Sequence, residues 1–226
     1  MFKRFLFCKQ SDKALLTQGV CLFVIKVTIA TKNFRFLYRL NEILDGIKEI
    51  QTNHILPNEF IPENVDVVIT TEIEKKSVDW KKKFIPKAFN RYYLYSNIYL
   101  MYIGKESFSE VIIGIDPGKT IGYAVVADGE TIISVSEIYT AVDTVKEVIS
   151  TFFNIETDKL VIKIGVGGGK TKDEIVQRLN KIFYDKVPIH IVREDFTSKT
   201  RLNSTEERFS KNITSALLIA ARESYV

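Results

Sequence analysis

The sequence predicts an α/β protein in two parts: a small α/β domain over residues 1–105, and over 111–226 a mixed five-stranded sheet with helices. Three observations predict this. The second half reads as three strand-like runs followed by alternating helical and extended segments. A polar stretch carrying Gly104, Ser107 and Ser109 precedes the first of those runs and has the composition of a junction. The chain of 226 residues, 46% hydrophobic and 27% charged, is large enough for two cores of ordinary globular composition.

Residues 111–115 form an apolar strand that ends in Asp116-Pro117-Gly118. Strands are expected over 121–127 and 131–138, joined through Asp128-Gly129, a strong hairpin signal. Val142, Val145, Val148 and Ile149 have helical spacing and place a helix over 140–153. A fourth strand follows over 160–166. A glycine run leads into an amphipathic helix over 172–183, and Pro188 introduces a fifth strand over 189–193. The last helix starts near 206 or 210 and runs to 223, with Ser204 and Glu207 at capping-box spacing. A doubly wound dinucleotide fold alternates strand and helix from its start. Three successive strands instead imply an antiparallel meander feeding parallel crossover units.

The first half is less regular. A strand is expected over 20–30. A helix is expected over 34–50, with Leu37, Leu40, Ile43, Leu44 and Ile47 on one face. Pro57 and Pro62 mark 51–63 as loop, and 65–70 reads as a buried strand. Residues 91–95 and 98–103 suggest a hairpin turning at Ser96-Asn97.

No apolar run approaches the roughly 20 residues of a membrane span, so neither a span nor a signal peptide is expected. Cys8 and Cys21 are not in a CxxC, and with only two histidines they do not suggest a zinc site. They fit free thiols in a reducing, cytoplasmic setting. His54 and His190 read as structural. Plentiful Lys, Glu and Ile with scarce Gln give a faintly thermophile-like composition. Charge is uneven. Residues 1–110 hold 17 Lys/Arg against 12 Asp/Glu, a net +5, and residues 111–226 hold 15 against 16, a net −1. A polyanion is therefore expected to meet mainly the first half. There, Lys75, Lys76, Lys81, Lys82 and Lys83 surround Trp80, and Arg91 is followed by Tyr92, Tyr93, Tyr95, Tyr99 and Tyr102. These residues suit phosphate contact and base stacking, and equally a solvated lysine loop beside tyrosines packed in a core.

The segment Gly114-Ile115-Asp116-Pro117-Gly118-Lys119-Thr120-Ile121-Gly122-Tyr123-Ala124-Val125-Val126 places an Asp at a strand end, where it can hold a metal, beside a glycine that permits a tight turn. It resembles the first-strand motif of RuvC-type Holliday-junction resolvases, in the RNase H-like superfamily: IDPG, three residues, then glycine, an apolar residue and alanine. Val192-Arg193-Glu194-Asp195-Phe196-Thr197-Ser198 resembles the VDERLTT segment of the YqgF group of that superfamily, with Glu194 at the motif's glutamate. The resemblance covers about half the chain and implies an RNase H-like domain. It also implies phosphodiester hydrolysis by water activated on two Mg²⁺ (or Mn²⁺) ions held by carboxylates roughly 3.5–4 Å apart.

The metal ligands it implies are Asp116 and Glu194, with Asp195 and Asn212 completing the catalytic set. Three family positions lack their acids: Lys163 stands where the fourth strand carries a glutamate, and Asn212 and Ser215 stand where the last helix carries aspartates. Lys163 is therefore expected to contact phosphate. Gly118 and Lys119, and Gly167, Gly168, Gly169 and Lys170 in the second glycine loop, are candidate phosphate or substrate contacts. Neither loop has Walker A spacing. Together DPGKT and GGGKT faintly resemble the two phosphate loops of actin-type ATPases, a lesser alternative. The expectation is a metal-dependent nuclease on a DNA junction or structured RNA. The alternative is a degenerate relative that binds nucleic acid or a protein partner without cleavage. By resemblance only, a homodimer is expected.

Overall fold

The computed structural model describes residues 24–193 and 209–222. The chain divides into two units, 1–106 and 107–226, each with its own sheet.

The first unit begins with β1 (Ile25–Ala30), whose residues are nearly all buried. Asn33 then caps α1 (Phe34–Leu44), its side chain accepting a hydrogen bond from the Phe36 amide at 3.1 Å. The helix stops at Asp45-Gly46, short of the expected residue 50, because Ile50 starts a strand. That strand, β2 (Ile50–Ile55), lies inside the stretch expected to be loop. Both prolines that suggested a loop come after it. β3 (Val67–Thr70) and the short β4 (Lys83–Phe84) complete a parallel sheet of order β2-β1-β3-β4.

The expected hairpin over 91–103 is a helix, α2 (Arg91–Ile103). Its aromatic residues favour strands on propensity alone, but its ends decide the matter. Asn90 accepts hydrogen bonds from the amides of Tyr92 (2.9 Å) and Tyr93 (3.3 Å), and Gly104 closes the helix at φ +75°. Ser96 and Asn97, expected to turn, instead bond back to the Tyr93 carbonyl within the helix. Tyr92 and Tyr95 are buried, so these two rings pack in the core and offer no stacking surface. Burial pushes the Tyr95 hydroxyl well above its ordinary pKa.

The second unit contains β5 (Val111–Asp116), β6 (Ile121–Ala127), β7 (Thr131–Ile138), α3 (Ala141–Asn154), β8 (Leu160–Gly165), α4 (Lys170–Phe183), β9 (Ile189–Val192) and α5 (Lys211–Ala221). The sheet order is β7-β6-β5-β8-β9. β6 runs antiparallel to its neighbours, and β8 and β9 run parallel to β5. A meander followed by two parallel crossover strands, with the first strand central, is the RNase H-like fold. Asp128 and Gly129 turn the β6–β7 hairpin with φ +50° and +73°, as a primed turn requires.

Helices cover both faces of this sheet. On one face α3 and α4 meet through Phe152 and Phe183, with ring centroids 5.1 Å apart, and the fully buried Tyr123 shares a 2.7 Å hydroxyl–hydroxyl bond with Thr151 of α3. On the other face α5 crosses β5 and β6 at very short range. A Cβ added to Gly114 would lie 2.1 Å from the Ala216 carbonyl oxygen, and one added to Gly122 would lie 2.0 Å from that of Asn212. Two glycines thus let the helix backbone rest on the strands.

Gly114→Ala is expected to destabilise the second unit by about 3 kcal/mol, since neither backbone can yield without losing sheet or helix hydrogen bonds. Urea denaturation measures this; a cost below about 0.5 kcal/mol would show that α5 does not rest on the strand.

Candidate functional site

The strand register locates the candidate residues. Paired residues share a face, and Gly114, which meets α5, identifies the α5 face. Asp116 pairs with Gly122, and Gly122 pairs with Glu137. These three form a row across the α5 face, carboxylate–glycine–carboxylate, with the outer strands about 9–10 Å apart. Asp116 is partly exposed at the end of the central strand.

Glu137 is absent from the sequence-based candidates. Its Oε1 accepts hydrogen bonds from Ser210 Oγ at 2.5 Å and Asn212 Nδ2 at 2.9 Å, at the N-cap and in the first turn of α5. The Ser210 bond, followed by that of Asn212, holds the Glu137 carboxyl below the ordinary carboxylate range. An anion at a helix N-terminus also complements the helix dipole. Asn212 therefore meets an acid on the neighbouring strand. Its amide donates to Glu137, where an aspartate would repel it.

Lys163 corrects an expectation. It pairs with Gly114, two residues short of the strand end, and not with Asp116. Only 6% exposed, its ammonium donates to the Ala220 carbonyl at 3.0 Å and also to that of Arg222, at the C-terminal end of α5. It is withdrawn from solvent and caps a helix, a position that does not suit the expected phosphate contact. One residue beyond the last register pair, Ile115 with Ile164, the neighbour of Asp116 on β8 is Gly165, which has no side chain.

The two glycine loops meet at this edge of the sheet. Gly168, at φ +78°, lies so close to the turn after Asp116 that a Cβ there would be 2.3 Å from the Pro117 carbonyl oxygen. Gly169 leads directly into α4, which begins at Lys170, two residues before the expected start. Gly167, Gly168, Gly169, Lys119 and Lys170 are exposed, and Gly118 is partly so. The loops thus touch one residue after Asp116, and each carries an exposed lysine, Lys119 or Lys170. Glu194 and Asp195 lie outside the described residues. Arg193, the last residue described before them, follows β9, whose Val192 pairs with Gly165.

Among the described residues no three His, Cys, Asp or Glu side chains gather as a metal group. Among the described residues this face supplies two carboxylates, Asp116 and Glu137, on strands about 9–10 Å apart, and Glu137 is already engaged by Ser210 and Asn212. Two divalent ions need more charged oxygen ligands than these described residues bring together. No helix among the described residues is long and apolar enough to cross a membrane.

No protein-family model matches the sequence, and no curated protein does. Solved structures similar to it include the Fowlpox virus resolvase in complex with substrate Holliday junction DNA, at 13% identity and a TM-score of 0.34, covering 48% of this chain and 94% of the resolvase chain. Another is the Marinitoga piezophila Argonaute in complex with 5′-OH guide RNA and target DNA, at 14% identity and a TM-score of 0.28. That match covers 76% of this chain but only 39% of the Argonaute chain. The RNase H-like fold rests on strand order and direction, not on these distant likenesses.

Replacing Lys163 with Met is expected to cost about 1–3 kcal/mol, because buried carbonyls at the end of α5 lose their donor. Unchanged or raised stability in urea would contradict the capping role. Glu137 has a lowered folded pKa. Its stabilising contribution is therefore complete above the ordinary value of 4.5 and is lost as pH falls through the lower folded value. Glu137→Gln is expected to flatten that part of the acid limb of stability against pH, and an unaltered limb would exclude the coupling.

Proposed function

We propose that the second unit binds the backbone of structured nucleic acid at the carboxyl edge of its five-stranded sheet, without assembling a two-ion cleavage centre. One observation carries this reading. Lys163 and Asn212, at positions where the resemblance implies acids, hold the two ends of α5, through its terminal carbonyls and through Glu137. What remains at the edge suits binding: exposed glycine backbone in two touching loops, with Lys119 and Lys170 beside it. Backbone amides and lysines are the groups that contact phosphates without reading sequence. In this reading Asp116 would hold a Mg²⁺ or Mn²⁺ ion, which would supply charge to screen a phosphate.

The second reading is a Mg²⁺-dependent endonuclease. The position of Asp116 at the end of the central strand favours it, as does the order of the chain, in which Glu194 and Asp195 follow directly after β9.

The test is binding of a four-way DNA junction and a hairpin RNA against salt, with cleavage followed in Mg²⁺ and Mn²⁺. Affinity is expected to fall with salt. The double substitution Lys119→Gln and Lys170→Gln should reduce the slope of log affinity against log salt by about two. Cleavage should not exceed that of Asp116→Asn. Metal-dependent cleavage abolished by Asp116→Asn would establish the endonuclease instead, and binding indifferent to salt would remove the phosphate contact.

A further inference from the structure

The first unit carries an open cleft of about 380 Å³ that the RNase H-like site does not use. It lies between the loop after β2 and the segment that follows the 3₁₀ turn Lys75–Ser77. Two aromatic side chains line it. Phe60 is 82% exposed, a large apolar ring held in water. Trp80 packs against the cluster of Ala30, Val65, Val68 and Val78, which anchors it, and also lines the cleft. Glu59 and Asp79 line it too, and the Leu56 amide donates to the Glu59 carboxylate at 2.8 Å, which fixes its position.

The lysines around Trp80 divide into two sets. Lys75 pairs with Glu72, Lys82 donates to the Tyr102 carbonyl at 2.7 Å, and Lys83 donates to that of Lys75 at 2.8 Å. Lys76 and Lys81 are exposed, and they are the chain neighbours of Ser77 and Trp80 in the cleft wall. The cleft therefore combines aromatic faces, acceptor-only carboxylates and flanking cations, within the half of the chain that carries a net +5.

We propose that this cleft takes one unpaired base of a single-stranded nucleic acid, resting on the proposed nucleic-acid role of the chain. Aromatic rings stack on any base. Carboxylates accept from the exocyclic amino groups of adenine, cytosine and guanine, whereas an unpaired thymine has only its N3–H to donate, flanked by two carbonyl acceptors that a carboxylate repels. The strand's phosphates meet Lys76 and Lys81. Nucleic acid is favoured over an acidic peptide because its base is neutral and can enter among the carboxylates while its phosphates stay outside at Lys76 and Lys81, whereas an acidic side chain would bring its charge into the cleft.

Trp80 is the sole tryptophan, so its fluorescence reports the cleft directly. The full chain is titrated at low salt with oligo(dC), oligo(dA), oligo(dT) and the mononucleotide dCMP. Oligo(dC) and oligo(dA) are expected to quench Trp80, with oligo(dT) several-fold weaker. Phe60→Ala, which removes an exposed ring and leaves the core intact, should weaken oligo(dC) binding about tenfold, and Lys146→Gln, at an exposed lysine of α3 outside both proposed sites, should not change it. Absence of quenching, wild-type affinity in Phe60→Ala, or equal binding of dCMP and the oligonucleotide would overturn the proposal. Quenching that persists while junction binding fails would reject the role proposed for the second unit and leave the cleft standing.

Discussion

Helix α5 rests its backbone on Gly114 and Gly122, and the second unit is arranged around that contact. A helix this close to a sheet has no side chains between its backbone and the strands at those points, so its position is set by its ends. Both ends are held by charge. Glu137 receives Ser210 and Asn212 at the N-terminus, and Lys163 donates to the last carbonyls at the C-terminus. Each sign complements the helix dipole, negative at the start and positive at the finish.

Among the described residues, this arrangement gives Lys163 and Asn212 structural partners at positions where the resemblance implies acids. The α5 face is where Asp116 emerges, and on that face the polar side chains also anchor the helix. Asn212 faces Glu137 across the helix–strand boundary, so a hydrogen bond replaces the repulsion two carboxylates would feel. Lys163 sits deeper, beside Gly114. At the edge itself Gly165 leaves Asp116 with no acid from β8, while the touching glycine loops keep backbone exposed for a ligand. The proposed phosphate contact draws on that exposed backbone.

The order of elements in the second unit is legible in the sequence because most strands are apolar and most turns are marked by glycine, proline or aspartate. The role of Glu137 is not, because a β-bulge between Val125 and Val126 shifts the register by one residue. A regular hairpin closing at Asp128-Gly129 would set Ser136 opposite Gly122 and turn Glu137 to the other face. The contacts of Lys163 are hidden for a related reason: a motif gives position along a strand, whereas the neighbours come from pairing. In the first unit, α2 reads as a hairpin because its aromatic and β-branched residues outweigh two caps, Asn90 and Gly104, that sit outside the segment. Glu194 and Asp195 belong to the candidate set on resemblance alone.

The number of divalent ions held at the sheet edge separates a binding site from a cleavage site most directly. Electron paramagnetic resonance of Mn²⁺ added to the chain bound to an uncleavable junction counts them. At most one ion per chain is expected, lost in Asp116→Asn. A spin-coupled Mn²⁺ pair that disappears with Asp116→Asn would contradict a site built for binding alone.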